Sequence, residues 1–121
     1  GKGQRQRLAV ASVLAFEPKV LVIDEPTTGQ DWLGATAMMS LVRELNENGH
    51  TILMITHDMS LVAEHARRAL VFAHGSLIAD AHPRELFSQA EVLERGTLVA
   101  PQIATLAAEL GCPHPVTTVP E

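Results

Sequence analysis

The chain offers one cysteine, no membrane-length apolar run, no excess of positive charge and no internal repeat. Each absence closes off a class of function. Cys112 alone permits no internal disulfide and fits a reducing compartment, where it reads as a small half-buried side chain without chemistry. Without a run of about 18 apolar residues, nothing here spans a bilayer as a helix by itself. A formal net charge of -5 argues against non-specific binding to nucleic acid. No heptad run is present, which removes a coiled coil. No charged, apolar, small-residue leader opens the chain, so no secretion signal is read. It starts instead at Gly1 without a methionine, and is expected to be the later part of a longer protein.

What is present is globular. Hydrophobic residues make up 46% and charged residues 19% of 121, enough for one core-bearing domain. The organising stretch is Val20-Leu21-Val22-Ile23-Asp24-Glu25-Pro26. A short aliphatic run closed by turn signals predicts a strand buried on both faces of a parallel sheet. Pro26 ends it, having no N–H for the ladder. Asp24 and Glu25 then stand at the carboxyl end of the strand, where open α/β sheets bind ligands. Two adjacent carboxylates there suit a hard cation at Asp24 and a water polarised by Glu25. An acidic, solvated turn after a core strand would give the same letters.

Residues 51–56 (Thr-Ile-Leu-Met-Ile-Thr) predict a second buried strand, with His57 and Asp58 at its end. Between the two lies an expected helix over about residues 32–48, capped by Asp31 and closed by Gly49, with Leu33, Ala37, Leu41, Val42 and Leu45 on one face. Trp32 is expected to pack near its start. Strand, helix, strand makes a parallel βαβ unit, so both polar pairs are expected at one sheet edge. Upstream, residues 1–6 read as a glycine-containing polar loop and residues 8–16 as a buried helix. A loop opening a helix presents free N–H groups to an anionic oxygen, and Lys2, Arg5 and Arg7 add charge. A frayed basic terminus is the other reading of this segment.

Downstream, residues 59–68 predict a short helix, 69–73 and 77–81 a hairpin, 83–88 and 91–96 short helical pieces, and 101–110 a final helix ending at Gly111. His65, His74 and His82 lack metal-ligand spacing and read as surface residues. The proline-bearing residues 112–121 read as a loose tail.

In this order, the residues resemble the ATP-binding subunits of ABC transporters. Gly1-Lys2-Gly3-Gln4-Arg5-Gln6-Arg7-Leu8 is similar to the signature motif, Val20 to Pro26 to Walker B with its glutamate, Gly29-Gln30-Asp31 to the D-loop, and His57 to the H-loop histidine. Lys-Gly-Gln-Arg-Gln-Arg, Thr-Thr-Gly-Gln-Asp and residues 101–111 resemble the energy-coupling-factor and cobalt-type importer ATPases. The resemblance implies an α/β fold, the C-terminal part of the P-loop ABC ATPase fold, with parallel strands and crossover helices followed by a β-hairpin and C-terminal helices. It implies a division at residue 83, with the ABC ATPase part over 1–83 and a helical extension and tail over 84–121.

The resemblance also implies roles. Gly1, Lys2, Gly3 and Gln4 would touch nucleotide held by a partner subunit, although Gly1 stands where serine is usual and Lys2 where the first glycine is usual. Asp24 would be the Mg²⁺-associated aspartate, Glu25 the residue polarising the attacking water, Asp31 a residue of the dimer seam, and His57 a γ-phosphate contact. ATP and Mg²⁺ are the implied cofactors. The implied partners are a second ATPase subunit, head to tail, and transmembrane transporter subunits at the cytoplasmic face of a membrane, with no nucleic acid. An ABC-type ATPase of DNA repair and a non-catalytic interaction piece are the rival readings. No Gly-x-x-x-x-Gly-Lys-[Ser/Thr] loop occurs, and Gly1-Lys2-Gly3 offers Mg²⁺ no hydroxyl. The chain alone is therefore expected to bind ATP negligibly, and to expose sheet surface that makes it self-associate.

Overall fold

The computed structural model describes residues 2–111 and divides into two units, residues 1–56 and 57–121. In the first unit, helix α1 (Lys2–Leu14) is followed by strand β1 (Val20–Asp24), helix α2 (Trp32–Glu47) and strand β2 (Thr51–Ile55). β1 and β2 pair in parallel, with Val20 opposite Thr51, Val22 opposite Leu53 and Asp24 opposite Ile55. The crossover that joins them is α2, as expected for a βαβ unit.

The buried layer lies on one side of this pair. Leu21 and Ile23 of β1 are buried, as are Met38, Met39, Val42 and Leu45 of α2. The alternate residues are bare: Val22 is 61% exposed, and Val20, Leu53 and Ile55 are also open. The expectation of strands buried on both faces is thus corrected. The letters are apolar on both faces, but among the described residues only one face is covered. Strand side chains alternate, so a single covering helix hides every second residue.

Two other expectations in this unit are corrected. Where a polar loop is expected over residues 1–6, residues 2–6 form the first turns of α1, which begins at Lys2. Lysine, glutamine and arginine are good helix formers, and one glycine does not interrupt them. The buried helix over 8–16 is largely open to solvent: Leu8 and Val13 are exposed and Phe16 is 86% exposed. The helix stops at Leu14, four residues before Pro18, with Glu17 in a left-handed conformation (φ 50°). On α2 the buried stripe is 38, 39, 42 and 45, so Leu33, Ala37 and Leu41 fall beside it. Those three line an open groove along the helix with Thr36, Ser40 and Glu44. Trp32 does not pack as expected but is 77% exposed.

The second unit comprises α3 (Met59–His65), β3 (Ala69–Ala73), β4 (Ser76–Ala81), α4 (Pro83–Leu86), α5 (Ala90–Gly96) and α6 (Gln102–Glu109). β3 and β4 form the expected antiparallel hairpin, turning through His74 and Gly75, both with positive φ, and carrying an irregularity between Val71 and Phe72. Its core is Val71, Leu86 and Phe87, packed by Met59, Val62, Ile78, Leu93, Leu98 and Ala104. Gly96 sits tight in this core, since a Cβ there would lie 3.0 Å from Val71 Cγ1. Arg68 and Asp80 clasp the hairpin outside, Nε to Oδ1 and Nη2 to Oδ2, each at 2.7 Å. Cys112 and the proline-bearing tail lie outside the described residues. Among the described residues, no helix is long and apolar enough to cross a membrane.

Candidate active site

The carboxyl end of β1 is built by three consecutive conformational choices. Asp24 is the last strand residue and lies on the exposed face, in line with Val20 and Val22. Glu25 turns into the left-handed region, φ 46°. For a residue with a Cβ that conformation costs roughly 1–2 kcal/mol, so the surroundings must hold it. Pro26 follows with its ring fully buried, which anchors the chain just past the turn.

Several bonds keep Glu25 in place. Its N–H donates to Ile55 O at 2.8 Å, extending the parallel ladder one step beyond the strand and tying the turn to the end of β2. Its carbonyl accepts from Thr28 N at 3.3 Å. Its carboxylate Oε2 accepts from the Thr28 hydroxyl at 2.8 Å. A further clamp closes the loop: Gln30 Nε2 donates to Pro26 O at 2.7 Å. These contacts tie Glu25 and its loop to the tip of the strand pair.

Asp31 then opens α2 as expected. Its carboxylate Oδ1 accepts from Gly34 N at 2.8 Å, an N-cap bond that satisfies one of the free donors of the first helical turn. Gly34 lies close under this loop: a Cβ there would come within 2.8 Å of Gln30 Oε1 and 2.9 Å of Asp31 Oδ1, so these side-chain ends would have to shift. At the end of β2, His57 is exposed and opens the second unit two residues after Ile55. Its neighbour Asp58 caps α3, with Oδ1 accepting from Ser60 N at 2.9 Å and Leu61 N at 3.3 Å.

The arrangement of a parallel strand, an acid pair at its tip, a clamped loop and an aspartate-capped helix has clear relatives. The chain is 48% identical over 110 residues to a protein of Caldanaerobacter subterraneus subsp. tengcongensis named as an ABC transporter ATP-binding protein, a match covering 91% of this chain and 19% of the relative. It is 49% identical over 109 residues to a similarly named protein of Methanosarcina mazei, covering 90% of this chain and 18% of that one. Among solved structures, cbiO1 of Clostridium perfringens, part of the ABC transporter complex cbiONQ, superposes with a TM-score of 0.66 at 38% identity, over 88% of this chain and 43% of that chain. The fold is that of the C-terminal part of an ABC ATPase domain. A nucleotide-free ATP-binding cassette from an ABC transporter aligns with a TM-score of 0.72 at 26% identity, over 78% of this chain. No protein-family model matches. The chain spans about a fifth of the length of the curated relatives it matches.

Within the ABC ATPase fold, the structure brings Asp24, Glu25 and Asp31 onto one strand-loop-helix segment. Lys2, Gly3 and Gln4 fall in the first turn of α1, and Gly1 lies outside the described residues. Among the described residues, no three acid, histidine or cysteine side chains converge as a metal cluster. Mg²⁺ does not require one: it usually takes one or two protein carboxylates and completes its shell with water and phosphate oxygens. Asp24, exposed at the strand end, fits that modest requirement.

Sequence reasoning missed the parts that do the holding. Thr28 and Gln30 belong to the segment that the sequence marks only as a motif resemblance, and Gly34 carries no sequence signal, yet the first two clamp the turn and the third lies close beneath it. For Thr28 the signal was local: a threonine just after a strand-ending proline favours a side-chain bond within the turn. His82 is exposed, as the surface reading expects, and has a structural task besides. It caps α4, Nδ1 accepting from Arg84 N at 3.2 Å.

Proposed function

We propose that this chain is the part of an ABC importer's ATP-binding subunit that performs hydrolysis and faces the partner subunit. The observation that carries this reading is the fixed Asp24-Glu25 pair at the tip of a parallel strand, in a chain similar over nine-tenths of its length to ABC transporter ATP-binding proteins. Asp24 holds Mg²⁺, which supplies charge neutralisation to the phosphates when bound. Glu25 accepts a hydrogen bond from the attacking water and orients it. His57 contacts the γ-phosphate. Gly1, Lys2, Gly3 and Gln4 touch nucleotide carried by the opposing ATPase subunit, and Asp31 lies at the seam between the two. Residues 1–83 are the ATPase part and 84–121 a C-terminal extension.

The ATPase works at the cytoplasmic face of the membrane with transmembrane subunits. Its likeness to cbiO1 and the Lys-Gly-Gln-Arg-Gln-Arg and Thr-Thr-Gly-Gln-Asp segments favour an energy-coupling-factor or cobalt-type importer, with a vitamin or a transition-metal ion as cargo. These 121 residues hold no phosphate-cradling glycine-lysine loop. The deciding experiment is Glu25→Gln in the complete subunit. It retains Mg-ATP and loses turnover by on the order of 10²–10⁴-fold, the usual contribution of a positioned general base. Hydrolysis at the wild-type rate would remove Glu25 from this role.

A further inference from the structure

We propose that Thr28 is a positioning residue for Glu25, its hydroxyl fixing which way the carboxylate faces. This rests on the assignment of Glu25 as the water-orienting group, and goes beyond it by naming a side chain that helps set its geometry. The carboxylate sits on a flexible stem at a partly exposed turn, where unrestrained rotamers would place it in several directions. Thr28 Oγ1 lies 2.8 Å from Oε2, three residues along. Because Thr28 is β-branched, its own χ1 is restricted, so the donor is itself well directed. Thr28 N also returns to the Glu25 carbonyl, and Glu25 N is held by Ile55 O, so the stem's base cannot swing. Backbone and side chain of one residue are thereby restrained together, in a conformation that an unconstrained glutamate avoids.

Other features of the molecule do not match this. The exposed apolar faces of the strands name no occupant, the groove on α2 is open and lined by one helix, and the Arg68–Asp80 pair clasps its own hairpin.

The hydroxyl has one function here that a methyl cannot copy. Thr28→Val keeps the shape and the β-branch and removes the donor; Thr28→Ser keeps the donor. In the complete subunit, Thr28→Val is expected to lower kcat by about 10- to 100-fold with KM for ATP within about twofold, the size of loss expected when a reacting group is misplaced by about 1 Å. Thr28→Ser restores most of the rate. In a Glu25→Gln background, Thr28→Val subtracts nothing further. Independently of turnover, side-chain scalar couplings of Glu25 in the complete subunit report a broader spread of rotamers for Thr28→Val than for wild type or Thr28→Ser. Unchanged couplings and unchanged kcat in Thr28→Val overturn the proposal, as does an equal loss in Thr28→Val and Thr28→Ser. If instead Glu25→Gln hydrolyses ATP normally, the functional assignment of Glu25 fails, while the couplings still judge the clamp.

Discussion

The two units use their polar residues in opposite ways. In the second, His57 apart, the polar side chains complete structural elements: Asp58 caps α3, His82 caps α4, and Arg68 with Asp80 clasps the hairpin. In the first, the flow reverses around Glu25. Backbone and side-chain groups of Ile55 and Thr28 are turned toward the acid, which itself sits in a strained conformation. An acid that structure serves is a better candidate for chemistry than an acid that serves structure. Asp31 stands between the two cases, since it caps α2 and also closes the segment that carries the pair.

This contrast can be tested by graded lesions. The largest effects are expected in the cores. Met38→Ala in the first unit and Leu86→Ala in the second remove fully buried side chains, and each should cost about 2–5 kcal/mol in urea denaturation. Val22→Ala, on the bare face of the same strand as buried Ile23, should cost under about 1 kcal/mol, because little of its surface leaves water on folding. A large loss at Val22 would mean that its face is covered in solution. Next come the structural acids: Asp31→Ala or Asp58→Ala should each cost about 1 kcal/mol through the lost N-cap. Thr28→Val should stay within about 0.5 kcal/mol of wild type, as exposed substitutions usually do, which separates a residue that supports an acid from one that supports a helix.

The smallest effect is expected at Asp80→Asn. The hydrogen bond from Arg68 holds the Asp80 carboxyl below its ordinary range, outweighing an opposing desolvation effect, with the Arg68 charge adding least; the same contact raises Arg68. A carboxyl lowered in the folded state stabilises above its unfolded pKa, and that contribution fades as pH falls through the lowered value. The gap between wild type and Asp80→Asn should therefore be present at neutral pH, close in acid, and shrink with added salt. A gap that widens in acid would assign Asp80 another partner.

The element order was legible from hydrophobic runs and turn signals. The parallel pair, the crossover helix, the hairpin and the Asp31 cap all follow from local patterns that tertiary packing leaves alone. Burial was less legible, for a specific reason. Val20, Val22, Leu53 and Ile55 are as apolar as the residues they alternate with, so the letters cannot say which face receives a neighbour. Leu33 and Trp32 misled in the same way: hydrophobicity marks what can be buried, and the partner decides what is. At the site, the acids announced themselves by their place after a strand, but their supports did not. Thr28 and Gln30 look like any polar loop until the left-handed turn at Glu25 brings their side chains back across it.

Gly34 offers a remote handle on that turn. Because the space beside its Cα is already taken by the Gln30 amide and the Asp31 carboxylate, even a methyl there would push first on the more yielding glutamine. Gln30 in turn grips the carbonyl of Pro26, one peptide beyond Glu25. A helix position with no chemistry of its own is thereby geared to the acid, and a graded series of side chains at residue 34 becomes a dial for its aim.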